Sequence, residues 1–395
     1  MTRADIRLAP NPSRLAARTE LLPDGGALLD HLGSDGTAWL DGPRGFATAG
    51  VAAIVAPARA VATLGAIDHD AVGPAATSGA IGPRAVGALP FAGGGRMIVP
   101  ACIVERDADG LMWRTIVEPA AVPPSRVAAT GRTPAGYTVS QVTGADAWES
   151  SVAAVLSLID AGTVEKVVLA REVEINASEP FDIAAVARTL EATQPGCIVY
   201  VDNGFVGASP ELLVRRTGRA VTARPMAGTG LHADDLVRSE KDAREHQVVV
   251  DAVVAALATA CDDVQARHAA PVELTDLTHL ATTITARVRD IETTAVDLAL
   301  TLHPTPAVAG TPRATALEAI SRLENTPRDL YAGPCGWVDA RGDGAFVVAL
   351  RGAQIEGARA RLHAGAGIVA GSRADAEWAE TQVKLEPMLR ALVRI

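Results

Sequence analysis

Near the C-terminus, Glu377, Glu380 and Lys384 follow one another at i, i+3 and i+7, which stacks two carboxylates and an ammonium on one face of an α-helix. Trp378, Leu385, Leu389 and Leu392 form the neighbouring apolar stripe. Both acids are therefore expected at the edge of the packed face, where an uncompensated carboxylate is costly. Lys384 can neutralise one charge, and a divalent cation with oxygen ligands the other. Just upstream, Ala364-Gly365-Ala366-Gly367 has almost no side chain, so backbone there can come close to a ligand. Taken alone, the pattern equally suits an exposed helix with an ordinary ion pair.

A second acid-bearing helix is expected from Ser239, a plausible N-cap with Asp242 at the third helical position. Glu245 lies one turn ahead of Val249 on the stripe continued by Val253 and Ala256, and a carboxylate on a buried stripe demands a partner. It is either a first-turn acid stabilised by the helix dipole or, with Glu377 and Glu380, part of an oxygen-rich cluster suited to Mg²⁺. In Gly207-Ala208-Ser209-Pro210-Glu211 an acid follows a Ser-Pro break between two strands, and Lys166 opens another strand. In one pocket these two could serve as acid and base, with desolvation keeping the Glu protonated; a strand-end Lys also reads as a solvated charge.

The elements that must position these groups are legible from residue 140 onward. Helices are expected over 145–161, 239–261, 297–302, 312–323 and 374–393, and a strand over 166–175. Hairpins join 197–201 to 205–208 across Asp202-Asn203-Gly204, and 212–216 to 220–223 across Thr217-Gly218. A later meander covers 336–339, 345–351 and 358–364. Residues 1–132 form a Gly- and Pro-broken patchwork of short strands, tied by a Pro-containing stretch from Val122 to Pro134 to the patterned region 140–395. Gly93 to Gly95 lacks the Lys-Ser/Thr of a phosphate loop and reads as a turn. Antiparallel hairpins with long helices make the fold α+β.

Composition narrows the partners. The 395 residues are 48% hydrophobic and 21% charged, enough for a large core, and 36 basic against 46 acidic side chains give a net charge of −10. With no basic run, that balance argues against nucleic acid and anionic membrane and favours a small molecule. Cys102, Cys197, Cys261 and Cys335 are too scattered for a zinc site or disulfide framework, as expected of reduced thiols in a cytosol. Met1 to Pro10 has no apolar signal core, and no stretch approaches a membrane span; a cytoplasmic protein is expected.

Several segments in order, KVVLAR (166–171), GASPELL (207–213), PMAGT (225–229), SEKDAREH (239–246), THLAT (278–282), LHPTPAVAGTP (302–312), YAGPCGW (331–337), VALR (348–351) and AGAGIV followed by EWAETQVKL, closely resemble the chorismate-utilising enzymes over roughly the C-terminal two thirds. The THLAT and LHPTPAV forms are similar to the isochorismate synthases of that family. The resemblance implies one large domain of two packed, mainly antiparallel β-sheets with helices on the outside. It also implies a monomeric enzyme that converts chorismate to isochorismate with Mg²⁺. Carried over by motif, Lys166 activates the water and Glu211 protonates the departing hydroxyl. Glu245 and Glu380 hold the metal, with Glu377 as a direct or water-mediated ligand. Arg351, Tyr331 and Lys384 bind substrate carboxylates, Gly365, Ala366 and Gly367 offer backbone N–H groups, and Thr229 and His279 position the ring. Ala227 stands where aminodeoxychorismate synthases place a nucleophilic Lys, leaving room for water or ammonia. Salicylate synthase, which goes on to eliminate pyruvate, and anthranilate synthase component I are the rival readings. His303, beside Pro304, reads equally as a structural hydrogen-bonding residue or a catalytic one and stays outside the site; His246 is either exposed or orients Glu245.

Overall fold

Glycine and proline cut the apolar runs into short strands, and most of these join edge to edge. The computed structural model describes residues 15–71, 81–119, 134–230, 233–275 and 277–393. Among them, 20 strands form one continuous hydrogen-bonded ladder, and three more form a separate small sheet. The first hundred residues are woven into the later ones: Thr37–Asp41 pairs with Ile198–Asp202, and Arg84–Ala88 with Pro334–Asp339. The connection expected from Val122 to Pro134 lies, but for its last residue, outside the described residues.

A core cluster containing Trp39, Phe46, Val86, Ile103, Tyr200, Phe205 and Val347 draws on strands and strand ends with no helical residue, which makes it the interface of two sheet layers. Helices cover the outer faces. Ala145–Asp160, Glu240–Ala258, Ala295–Leu302 and Arg313–Leu323 pack into the largest cluster, and Ile183–Thr193 and Ala374–Val393 into a second. The α+β reading and the layered sheets hold. The layers, however, are joined through shared strand pairing rather than standing as two independent sheets, because a paired edge leaves no row of unmet backbone groups.

Local chemistry explains most boundaries. Asn203 and Gly204, with φ of 45° and 85°, form the two-residue turn between Ile198–Asp202 and Phe205–Ser209. Ser239 accepts the Asp242 N–H at 3.2 Å and starts the Glu240–Ala258 helix, which ends before Cys261 because Cys261 opens a strand. Thr294 and Asp297 form a reciprocal capping box, so the helix expected from 297 begins at Ala295. The Ile183–Thr193 helix was not foreseen, although Asp182 caps it through the Ala185 N–H. The strand expected over 345–351 stops at Val348, with Arg351 in the left-handed region at φ 53°, and a further strand, Gly352–Glu356, precedes a last one that runs on to Ile368.

The stripe on the final helix is rotated from the expected one. Glu377 is buried, whereas Trp378 and Leu389 are only half-buried. Trp378 spends one face on the Arg171 guanidinium, 4.0 Å from its ring, and meets Trp148 edge to face, so its indole lies along the flank of the helix.

Candidate active site

The strand Lys166–Ala177 is the axis of the site. One edge pairs with Arg359–Ile368, setting Gly365 opposite Ala170 and Gly367 opposite Val168. On its other edge, Gly310–Thr311 reaches only Lys166 and Val167. Beyond that point a buried ion pair takes over the backbone: Arg328 Nη2 donates to Val168 O at 2.8 Å, and Glu324 Oε1 accepts the Ala170 N–H at 2.8 Å. Arg171 then ties the strand to the Ala374–Val393 helix. Its Nε donates to Thr381 Oγ1 at 2.6 Å, Nη2 to Gln382 Oε1 at 2.8 Å and Nη1 to Gln141 Oε1 at 2.7 Å. Burial lowers its pKa to about 10, still far above neutrality.

One cavity opens over this frame. It is lined by Lys166, Glu211, Glu245, Glu377, Glu380 and Lys384 together with Thr229, His279, Tyr331, Arg351, Gly365 and Gly367. Of the expected site residues only Ala366 is missing. Successive strand residues face opposite ways, so Gly365 and Gly367 look into the cavity while Ala366 packs in the core at 1% exposure.

Lys166 and Glu245 are a close pair, Nζ to Oε1 2.7 Å, with side chains 5% and 14% exposed. Gly367 makes room for them. A Cβ there would lie 2.8 Å from Lys166 Cε and 2.9 Å from Glu245 Oε1. Glu211 is buried on the turn before Leu212–Thr217, and Ser209 pins that turn by donating to Val348 O at 2.6 Å and accepting the Glu211 N–H at 3.2 Å. Desolvation pushes the Glu211 carboxyl up to about 8, against the opposing pull of the Lys166 ammonium, the Met226 N–H and the Lys384 ammonium. At neutral pH this carboxyl keeps its proton.

The small sheet supplies the opposite wall, with Thr229 in register with His279. His279 is buried, and desolvation, with Arg351 and Lys384 nearby, holds its pKa well below the usual imidazole range. Its Nδ1–H donates to Gly228 O at 3.1 Å and lies 3.3 Å from Thr229 Oγ1, leaving Nε2 to accept from Arg351 Nη2 at 3.1 Å. Lys384 Nζ donates to Glu380 Oε1 at 2.6 Å and to Gly365 O at 3.0 Å.

The three expected metal carboxylates share the cavity wall. They do not form a ready ligand shell: among the described residues no three acidic, His or Cys side chains draw together as a metal cluster, and Glu245 and Glu380 each face a lysine. Their all-oxygen donor chemistry nevertheless fits a hard divalent cation. Asp242, three residues before Glu245 on the same helix, adds a fourth acid to the wall; the i, i+3 spacing could have revealed it. Arg328 and His363 also line the cavity, with no local signal to announce them.

Two ambiguous histidines resolve. His246 is buried with Nε2 2.7 Å from Thr282 Oγ1, and burial lowers its pKa to about 4, so it is a neutral ring. His303 donates from Nε2 to Phe91 O at 2.9 Å and meets the Phe91 ring edge to face, a structural role.

Comparison with known proteins gives the same picture. A Mycobacterium tuberculosis protein assigned as isochorismate synthase MenF is 44% identical over 255 residues, 58% of this chain and 68% of the relative. The Bacillus subtilis isochorismate synthase DhbC is 36% identical over 278 residues, 65% and 70% of the two chains. A crystal structure of a Bacillus anthracis protein assigned as a 2,3-dihydroxybenzoate-specific isochorismate synthase, DhbC, superposes with a TM-score of 0.78 at 29% identity, covering 92% of this chain and 98% of that one. The profile of the family described as "Chorismate binding enzyme" matches residues 108–393, and the chain belongs to that family.

Proposed function

We propose that the chain is an isochorismate synthase, an isomerase that turns chorismate into isochorismate. The observation that carries the reaction chemistry is Glu211: a carboxyl that burial keeps protonated at neutral pH, close enough to the Lys166 ammonium to feel its field. Exchanging one ring hydroxyl for another needs a proton donor for the leaving group and a base for the incoming water. In this reading Glu211 gives its proton to the C4 hydroxyl, which departs as water. The ring double bonds shift as a new C–O bond forms at C2, and Lys166 serves as the base that takes the proton from the attacking water. Proton exchange with solvent then resets both groups.

Charge accounting supports a cation cofactor. Asp242, Glu245, Glu377 and Glu380 face Lys166, Arg328, Arg351 and Lys384 around the cavity, four acids against four cations. A substrate with two carboxylates adds two negative charges. Mg²⁺ held by Glu245 and Glu380, with Glu377 alongside, would offset them and stabilise charge on the ring carboxylate. Arg351, aimed by His279, and Lys384 and Tyr331 take the carboxylates. Gly365 and Gly367 let the substrate approach the strand, and Thr229 with His279 sets the ring.

Among the described residues every lining residue falls between Lys166 and Lys384, which supports assigning 140–395 the chorismate-binding role and 1–132 that of scaffold. We read the enzyme as a monomeric, cytoplasmic protein. Incubation with chorismate and Mg²⁺ followed by chromatography tests the function. Isochorismate without matching pyruvate is expected; pyruvate in step with chorismate loss points to a salicylate synthase, and dependence on ammonia to an anthranilate synthase. Lys166→Ala and Glu211→Gln should each lower kcat by about 10²- to 10⁴-fold with the circular dichroism unchanged. Near-normal turnover in either variant overturns its assigned role.

A further inference from the structure

One buried pair beside the cavity has no part in the chemistry above. His363 stands opposite Glu172 in the strand pairing, with Nε2 3.5 Å from Glu172 Oε2 and side chains 9% and 4% exposed. Glu172 stays ionised despite desolvation, held below the usual carboxylate range by His363, Thr326 and Arg361. The approach is of ion-pair range rather than a hydrogen bond, and it sets a buried carboxylate against one side of the imidazole. The His363 ring in turn lies nearly parallel to that of Tyr331, centroids 5.3 Å apart and planes 19° from each other. Tyr331 directs its hydroxyl to Gly365, where a Cβ would come within 3.2 Å of the oxygen. His363, Gly365 and Gly367 alternate along one strand and all line the cavity.

We propose that Glu172 and His363 position Tyr331, the imidazole acting as a plate that holds the phenol at the angle from which its hydroxyl meets a substrate carboxylate. This rests on the reading that Tyr331 contacts substrate. A phenol held in place beforehand loses little freedom when substrate arrives, whereas a loose one must be immobilised at the expense of binding. The device acts on capture and leaves the bond-making step alone, so its signature is a change in KM without a change in kcat.

Steady-state kinetics on Tyr331→Phe, His363→Ala, Glu172→Gln and the Tyr331→Phe/His363→Ala double variant test it. His363→Ala should raise KM about five-fold with kcat within about two-fold, and the gentler Glu172→Gln about two-fold in the same direction. The double variant should be no worse than Tyr331→Phe alone, because the plate then has nothing to aim. A His363→Ala penalty that persists undiminished in the Tyr331→Phe background, or one that falls on kcat, overturns the proposal. An unchanged KM in Tyr331→Phe instead overturns the reading of Tyr331 as a substrate contact.

Discussion

Glu211 is ionisable but, at neutral pH, uncharged, because the loss of water outweighs the two ammonium groups that pull the other way. Its proton is lost as pH rises through about 8, so kcat/KM should fall along an alkaline limb of that apparent pKa, read from initial rates across neutral and alkaline buffers. The linkage to stability has the same sign. The folded value lies above the ordinary 4.5, so the contribution is complete below about 4.5 and is lost between there and about 8. Gly367 matters by what it lacks. Gly367→Ala would drive a methyl against Lys166 Cε and Glu245 Oε1, and should cut kcat by about ten-fold or more with little change in melting temperature. Lys166, Glu211, Glu245, Glu377 and Glu380 were readable in the sequence because each sits in a short motif with its own spacing. Arg328, held in a loop by Glu324 and the Val308 and Val168 carbonyls, and His363, turned to the cavity by strand pairing, were not.

At the scale of elements, the final helix, which lines the cavity, is held by a residue that helical periodicity could not identify. Arg171 lies on a strand, fully buried, and its guanidinium spans Thr381, Gln382 and Gln141. Arg171→Ala would take this partner from the buried Thr381 hydroxyl and empty a fully buried position under Trp378, and should cost about 3 kcal/mol in urea unfolding while also depressing activity. Helix starts were legible at Ser239 and Pro312, whereas the Thr294 cap was missed and its helix expected two residues late. The side chain of Ala366 packs in the core rather than lining the cavity, which the glycine-rich run did not reveal. That run is the end of a ten-residue strand, where orientation alternates. The early halt of the strand before Arg351 was equally hidden, since a left-handed arginine carries no compositional mark.

Across the whole molecule, the N-terminal third supplies no cavity residue among the described residues and yet is part of the same sheet network. Trp39 and Phe46 complete the strand-only core with Tyr200 and Phe205, and Arg84–Ala88 covers the edge of Pro334–Asp339. A chain reduced to residues 134–395 should therefore be insoluble or lack a cooperative melting transition, which expression and calorimetry would determine. This dependence was out of reach of the sequence, where the first third shows only short strands and turns, because strand partners far apart in the chain leave no local pattern.

The orientation of His279 reaches beyond geometry. A carbonyl from Gly228 can only receive, which fixes the imidazole in one tautomer and turns its lone pair toward Arg351. Because the ring is already neutral, mild acid or alkali leaves the guanidinium aimed as before. Alkalinity should then slow the catalyst without loosening its hold on the anion, so that the inert Glu211→Gln variant, titrated with chorismate in a calorimeter, returns the same affinity on both sides of neutrality.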